Sequence, residues 1–430
     1  MNSNLPRFLG PLGATLFIVC YIVATAIFLV PGIVARNAGS VEASLALWVV
    51  GGLLAFCGAL CYAELAVRIP KSGAEYRYLY AAYGPPLAFV FAWTCLFTQP
   101  VSVAAVARGF ADYLAQLWPM EEAMRRAAAA AVITLFAAIS IGSTPLATRL
   151  AGIAAVAKLL ALLSIALVGI AMSTGPEAAS AVAAPAGGWR LAQLGTAMVA
   201  VIWAFDGFSS IATIAGEVRE PRRTLPLSLI TAIGIVTLVY VLTNVVYFHV
   251  LGFDGVAASD AVASAALGAV IGPAGASLIA VMVMASALGT TAAQLVGNPR
   301  FFVGPAEDGL FPARFARISP RTLTPVNAIL LTAAIAIGLL AVGGYERLIR
   351  LYVLSYFPLV VVALFAAMRL RRREGKPPEF SMPLYPLPLF VFGACIVGIC
   401  VASALDDPAG GLFGLMVPLS GAAVYWLRFR

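Results

Sequence analysis

Apolar segments of about 20 residues recur along the whole chain, and this recurrence limits the possible folds more than any other feature. As a helix, such a segment is long enough to cross the hydrocarbon core of a bilayer. With 62% hydrophobic and 11% charged residues, the 430-residue chain has more apolar surface than a soluble core can cover. We predict an all-α integral membrane protein with about 12 transmembrane helices, near 11–38, 45–68, 86–117, 127–142, 148–172, 191–215, 227–251, 272–304, 326–343, 348–370, 387–405 and 411–427.

The loops between these segments are too short for a soluble domain, so we expect residues 1–430 to form a single transmembrane domain. If the amino terminus is cytoplasmic, most loop arginines and lysines fall on the cytoplasmic side, as the positive-inside rule requires. The basic residues assigned to the outside are then Arg36, Arg125, Arg126, Arg190, Arg347 and Arg350. We therefore predict a multi-pass protein of the cell inner membrane or plasma membrane with both termini in the cytoplasm. The same asymmetry explains the net charge of +8, so no nucleic-acid partner is expected.

Residues suited to metal binding or catalysis are scarce. The cysteines lie in apolar segments without metal-ligand spacing, and His249 is the single histidine. No nucleophile is paired with a base. We expect no metal, no cofactor and no enzymatic activity. The six cysteines, which we interpret as free buried thiols, are Cys20, Cys57, Cys61, Cys95, Cys395 and Cys400.

The sixth apolar segment is interrupted by Asp206 and Gly207, within WAFDGFSSIATIAGEVREPRRTLP at 203–226. A carboxylate beside a helix-breaking glycine is costly in lipid unless it is buried in protein or lines a cavity. Two interpretations of Asp206 remain open. It caps the half-helix that follows, or it binds a proton or an amine, because a dry site favours the neutral carboxyl group. The combination indicates a transport site.

Several motifs together resemble the amino acid/polyamine/organocation (APC) superfamily of transporters. YAELAVRIPKSGAEYRYLYAAYG at 62–84 resembles its second helix and re-entrant loop, and AGSVEASLALW at 38–48 is similar to its L-type amino acid transporter branch. IFLVPG at 27–32 resembles the segment after the unwound part of the family's first helix. AGEVREPRRTLP at 215–226 resembles the loop after its sixth helix, and RFFVGPAEDGLFP at 300–312 fits more loosely.

The resemblance implies the leucine-transporter-like fold, a 5+5 inverted repeat in which helices 1 and 6 are discontinuous. The first repeat is expected at about 11–172 and the second at about 191–370, followed by helices 11 and 12 at about 387–427. In such a fold, half-helix amino termini favour a carboxylate, and freed carbonyl groups favour an ammonium. A zwitterionic amino acid needs both.

The resemblance also assigns the substrate site to the two helix breaks. Ala24, Thr25 and Ala26 stand where the family has Gly-Ser-Gly, so two positions lose the conformational freedom of glycine. Phe208 corresponds to an aromatic gate over the substrate, although a lipid-facing or core aromatic remains the alternative. The predicted substrate-binding residues are Ala24, Thr25, Ala26, Ile27, Phe205, Asp206, Gly207 and Phe208.

Lys158 is the other notable charge within an apolar segment. It lies nine residues beyond Arg149, which is roughly 13 Å along a helix, so its ammonium reaches the membrane surface only with difficulty. The resemblance places it where related transporters bind sodium, and a fixed ammonium would repel Na⁺. We predict that Lys158, Asp206 and Phe208 serve coupling or gating. Tyr352 and Tyr356 of the tenth segment either gate the site or pack.

The predicted function is sodium-independent secondary transport of amino acids by alternating access, through exchange or proton-linked uptake. The alternative is transport of cationic amino acids or polyamines, motivated by Asp206. The expected partners are the substrate, the lipid bilayer and protons. Some members of the superfamily are linked by a disulfide to an ancillary heavy chain through a cysteine between helices 3 and 4. WPMEEAMRR at 118–126 has no cysteine, so no such heavy chain is expected.

Overall fold

The computed structural model describes residues 10–69, 73–142, 153–154, 157–158, 160–165, 167, 191–210, 218–319, 322, 324–341, 343–375 and 379–429. These residues fold into α-helices joined by short loops, with a 3-10 turn at Ala313–Phe315. The helices are α1 (Pro11–Ile22), α2 (Ala26–Ala38), α3 (Val41–Arg68), α4 (Ala74–Tyr83), α5 (Pro85–Leu117), α6 (Glu122–Gly142), α7 (Leu191–Phe205), α8 (Pro221–Ala258), α9 (Val262–Ile271), α10 (Pro273–Gly297), α11 (Arg300–Glu307), α12 (Val326–Leu339), α13 (Tyr345–Glu374), α14 (Leu387–Asp406) and α15 (Pro408–Phe429).

Eight helices of the described chain are long and apolar enough to cross a membrane. The pair α1 and α2, bent by 48°, forms one further broken span. The shorter apolar helices α7 and α12 fall on the sixth and ninth predicted segments. The fifth predicted segment, 148–172, lies largely outside the described residues. The prediction of an all-α membrane protein of about 12 helices is confirmed.

Local sequence explains where several of these helices begin and end. Gly39 ends α2 with a φ of 76°, a conformation that glycine adopts without strain. Ser40 follows as the N-cap of α3, and its side chain accepts a hydrogen bond from the backbone N–H of Ala43. Gly84, with a φ of 88°, ends α4, and Pro85 at once begins α5. Tight turns therefore replace loops between these helices.

Helix α5 lies at the centre of the bundle, in contact with α4, α6, α10, α12, α13 and α15. Its most apolar stretch is 78% buried by protein, whereas that of α15 is 17% buried. The exposed side chains of α15, such as Leu412 and Leu419, are apolar, so this surface is suited to lipid. Buried polar residues beside the two breaks include Thr25, Ser209 and Ser210, and others lie elsewhere in the bundle.

Candidate functional site

The first helix is broken at residues 23–25, as predicted. Helix α1 ends at Ile22, and the backbone N–H of Ala24 bonds to the carbonyl of Ile22 instead of continuing the helical pattern. Helix α2 then begins at Ala26, and its first N–H groups have no carbonyl of a preceding helical turn to bond. The break therefore offers free N–H groups at the start of α2 beside the carbonyl end of α1.

The sixth segment is broken in the same way after α7. Residues 206–209 form a turn, with Gly207 at a φ of 111°, and helical structure resumes at Ser210. A Cβ atom on Gly207 would lie 3.1 Å from Cδ1 of Tyr21 and 3.2 Å from the backbone carbonyl carbon of that residue. The turn at Gly207 is therefore in direct contact with Tyr21 and Ile22, the last two residues of α1 before the first break, and only glycine fits both the conformation and the space.

Tyr240 of α8 joins the ends of the two half-helices. Its hydroxyl lies 3.1 Å from the carbonyl oxygen of Ile22 and 3.1 Å from that of Ala204, so one buried donor is shared between α1 and α7. Both carbonyls belong to last helical turns, which need partners from outside the helix. Sequence reasoning missed Tyr240, because one tyrosine in a long apolar helix carries no local signal.

Asp206 lies at the contact between the breaks and keeps part of its surface accessible, as Tyr21 and Ala24 do. One carboxylate oxygen, Oδ2, accepts a hydrogen bond of 2.8 Å from the hydroxyl of Tyr352 in α13. The ring of Tyr352 packs edge-on against Trp203, with 5.0 Å between centroids. In the described part of the chain, no basic side chain forms an ion pair with Asp206. The carboxylate is therefore anchored by Tyr352, and the residue as a whole keeps part of its surface accessible.

The other predicted residues of the first helix surround the break. Thr25, Ala26 and Ile27 are buried, and Thr25 packs against Gly109 of α5, whose Cβ would lie 3.2 Å from the threonine hydroxyl. Ala24 is the one that keeps accessible surface. Three of the four predicted residues of this helix are therefore covered by protein, and contact of their side chains with a substrate remains a prediction.

The two phenylalanines of the sixth segment point to different neighbours. Phe205 packs against Tyr240 and Trp48, with centroid distances of 5.2 and 6.2 Å, in an aromatic cluster between α3 and α8. Phe208 packs edge-on against Tyr62 of α3 at 5.4 Å. Phe208 lies beyond Asp206 along the chain and is buried, so it covers one side of the break.

Lys158 is buried and reaches the first helix break. Its Nζ donates to the hydroxyl of Thr290 in α10 at 2.6 Å and to the backbone carbonyl of Cys20 in α1 at 3.1 Å. The side chain is 0% exposed, so the alternative in which the ammonium reaches the membrane surface is wrong. A buried ammonium is tolerated only with such partners. Lys158 therefore links α1, two residues before its end, to α10.

Ion pairs close one end of the bundle, which we call the Arg77 end. Arg77 of α4 pairs with Asp308 at 2.8 Å and with Glu307 at 2.9 Å. Arg371 of α13 binds both carboxylate oxygens of Glu64 in α3, at 2.6 and 2.5 Å. The pair at Glu64 is largely buried, whereas the Arg77 pairs are partly exposed.

The opposite end, which we call the Arg108 end, contains a cavity of about 350 Å³. Arg108 of α5 binds Asp112 at 2.9 Å and both oxygens of Glu122 at 2.6 and 2.7 Å. The cavity extends down to Tyr345, whose hydroxyl accepts a 2.9 Å hydrogen bond from Trp203. Trp203 in turn packs on the tyrosine that holds Asp206. The cavity therefore approaches the helix breaks from the Arg108 end.

Two helix breaks in contact inside a membrane-spanning helical bundle define a secondary transporter. The model of the amino acid permease family matches residues 9–425, so the chain belongs to that family. The predicted membership of the APC superfamily is thereby confirmed. The chain is a multi-pass membrane transporter of amino acids and not an enzyme.

Individual relatives resemble the chain over nearly its whole length. It is 25% identical over 430 residues to the serine/threonine exchanger SteT of Bacillus subtilis (strain 168), covering 99% of this chain and 97% of that protein. It is 30% identical over 435 residues to the large neutral amino acids transporter small subunit 2 of Homo sapiens, covering 98% and 80%. It is 29% identical over 441 residues to the human b(0,+)-type amino acid transporter 1, covering 99% and 88%.

Proposed function

We propose that this protein moves amino acids across the membrane without sodium, by exchange or linked to protons, through alternating access at the two helix breaks. The observation that carries the proposal is the contact of the turn at Gly207 with Tyr21 and Ile22, the residues that end α1 just before the break at 23–25. The names of the relatives support it, since they describe an exchanger and transporters of amino acids.

The substrate would lie between the breaks, with each charged group facing a half-helix end of opposite sign. Its carboxylate faces the first N–H groups of α2, at Ala26 and Ile27, because a helix amino terminus favours an anion. Its ammonium faces the carbonyl ends of α1 and α7, where Tyr240 already supplies one donor. Phe208 covers the site toward the Arg77 end.

Lys158 takes the place of a coupling sodium ion. Its ammonium binds a carbonyl oxygen of α1 and a hydroxyl of α10, and such oxygens are also ligands for hard cations. A positive charge fixed at this position excludes Na⁺ by repulsion. It supports the first helix break whether or not sodium is present.

We infer the orientation of the protein in the membrane from the loop charges. We place the Arg77 end in the cytoplasm, together with both termini, and the Arg108 end outside. The cavity at the Arg108 end is then the external approach to the site, and the ion pairs of Arg77 form a closed internal gate. In this proposal the two repeats run over about 11–172 and 191–370, as the resemblance implies. No disulfide-linked heavy chain takes part, because 118–121 between α5 and α6 has no cysteine.

Asp206 favours the second candidate function, transport of cationic substrates. Its carboxylate has a hydrogen-bond donor on one side and no basic partner among the described residues. A substrate ammonium or guanidinium at this place would form a charge-assisted hydrogen bond. When the substrate has no additional positive charge, the same carboxylate binds a proton instead.

The test is uptake of leucine, serine, arginine and putrescine by proteoliposomes preloaded with an unlabelled amino acid mixture. Wild type and Asp206→Asn are compared with the control Asp254→Asn, an exposed aspartate. A hydrogen bond to a charged group contributes roughly 1.5–3 kcal/mol, so Asp206→Asn should weaken arginine uptake at least about tenfold while leucine uptake persists. Asp254→Asn should match wild type. If no amino acid enters wild-type vesicles, the proposed function is wrong. Equal arginine uptake by Asp206→Asn and wild type would remove the cationic role.

A further inference from the structure

Glu75 is a buried carboxyl group outside the proposed substrate site. It lies in the first turn of α4 and is 0% exposed. Its Oε1 accepts hydrogen bonds from the hydroxyl of Tyr62 in α3 and, at 2.8 Å, from the hydroxyl of Tyr356 in α13. Its other oxygen, Oε2, is buried without a hydrogen-bond partner. In the ranges that the structure describes, no lysine or arginine forms an ion pair with Glu75.

In the described part of the chain, the titratable groups that act on Glu75 are neutral or acidic. The titratable side chains facing it are Tyr62, Tyr78, Cys95, Tyr356 and, further away, Asp206. An unpaired carboxylate in such a place costs several kcal/mol, because neither water nor a cation replaces its hydration. Burial accordingly raises the pKa of Glu75, against hydrogen bonds from Tyr62, its own backbone, Tyr356 and Ser209, which lower it.

Two neighbouring tyrosines, Tyr352 and Tyr356, lie between Glu75 and Asp206. Tyr352 and Tyr356 lie four residues apart on α13, with 5.1 Å between their ring centroids. Tyr352 donates to Asp206, and Tyr356 donates to Glu75. The ionised forms of the two carboxyl groups repel each other, so a charge at one site favours a proton at the other.

Glu75 also lies at a junction that must separate when the Arg77 end opens. Its carboxyl group joins α4 to α3 and α13, and Phe208 of the sixth-helix turn packs on the same Tyr62. Opening a path from Asp206 to the Arg77 end requires these groups to part. Water then reaches the carboxyl group, and hydration favours its ionised form.

We propose that Glu75 is a proton-binding site whose protonation keeps the Arg77 end closed. On opening, the O–H bond of the carboxyl group breaks, the proton passes to water, and a carboxylate remains. On closing, the carboxylate takes a proton back from water. The link to turnover rests on the proposed transport function, whereas proton binding itself is measurable without any substrate.

The first experiment follows thermal unfolding of the full-length protein in detergent between pH 5 and pH 9. Glutamate in the unfolded chain ionises near pH 4.3, whereas the folded protein keeps Glu75 protonated to higher pH. Stability from this group is therefore complete below about pH 4.3 and is lost as pH rises toward its folded pKa. Glu75→Gln cannot ionise, so its melting temperature should exceed that of wild type by a margin that grows with pH, reaching about 2 °C or more by pH 8.

Two further variants make this result specific. Glu379→Gln removes an exposed carboxylate, so its profile should remain parallel to that of wild type. Tyr356→Phe removes one donor to the ionised form of Glu75, so its loss of stability with pH should extend to higher pH. If Glu75→Gln fails to fold, Tyr356→Phe carries the test. Profiles of Glu75→Gln or Tyr356→Phe that run parallel to wild type would overturn the proposal.

A transport measurement separates this proposal from the proposed function. Leucine exchange by wild type in proteoliposomes should vary with pH between 5.5 and 8.5, and exchange by Glu75→Gln should vary less than twofold. A pH-dependent stability difference without transport of any amino acid would contradict the proposed function and support the proton site. Transport with the same pH profile in wild type and Glu75→Gln would contradict the coupling of this proton to opening.

Discussion

Gly207→Ala would place a methyl group where the two helix breaks meet. Gly207 has a φ of 111°, and an added Cβ would lie 3.1 Å from Cδ1 of Tyr21 and 3.3 Å from the backbone N of Ile22. Gly252 in α8 is the matched control. Its φ of 67° is also positive, but a Cβ there would meet nothing within 4 Å. The pair therefore separates backbone strain from steric contact.

The expected cost follows from these two contributions. A positive φ lowers the unfolding free energy by roughly 1–2 kcal/mol when the residue has a Cβ, and this applies to both variants. Overpacking against the neighbouring break costs Gly207→Ala about 1–3 kcal/mol more, because the nearest atoms include backbone. For a chain of this length, about 1 kcal/mol lowers the melting temperature by roughly 1 °C. We expect losses of about 2–5 °C for Gly207→Ala and about 1–2 °C for Gly252→Ala.

The assay combines thermal unfolding with substrate binding. Gly207→Ala should also lose leucine binding and uptake, because the methyl group pushes the breaks apart at the substrate position, whereas Gly252→Ala should keep both. Equal melting temperatures and equal uptake for the two variants would refute the argument that contact between the breaks builds the site.

Three further variants test individual contacts. Tyr240→Phe removes the donor shared by two half-helices and should cost about 1–3 kcal/mol of unfolding free energy; an unchanged free energy would mean that water satisfies both carbonyls. Arg371→Met removes the hydrogen bonds of one arginine to the buried Glu64, which keeps Arg68 at 3.6 Å and the N–H of Met382, so it should cost about 1.5–3 kcal/mol. Met at the exposed Arg372 should be nearly neutral in the same unfolding assay. Lys158→Met removes the ammonium that joins α1 to α10. Uptake should fall at least about tenfold, because one or both charged hydrogen bonds are lost. Uptake equal to that of wild type would contradict a coupling role.

The sequence predicted the fold class and the two breaks because their causes are local. Apolar length indicates a span, and Asp206 beside Gly207 interrupts one. The resemblance to a family added the first break, predicted at Ala24, Thr25 and Ala26. In the structure it spans 23–25, and α2 begins at Ala26. The local sequence pattern does not identify the hydrogen-bond partners of the residues at the breaks. Tyr352 lies 146 residues from Asp206, and such pairs depend on how helices pack rather than on periodicity.

The same limit applied to the buried charges. Lys158 was recognised from its position in an apolar segment, but its bonds to Cys20 and Thr290 span 138 and 132 residues. Glu75 lies inside a recognised motif and still carried no sign of burial, because α4 is a short, polar helix by sequence. The packing of α4 against α5 and α13, together with Tyr62 of α3, removes this carboxyl group from water.

Counterflow in proteoliposomes tests the central claim most directly. Vesicles containing the purified protein are loaded with an unlabelled amino acid mixture, and the entry of labelled leucine, serine or arginine is measured in sodium chloride or choline chloride. The proposed mechanism predicts accumulation of at least one labelled amino acid at the same rate in both salts, because Lys158 supplies the positive charge at the first helix break. Accumulation only in sodium chloride, or no accumulation of any amino acid, would contradict it.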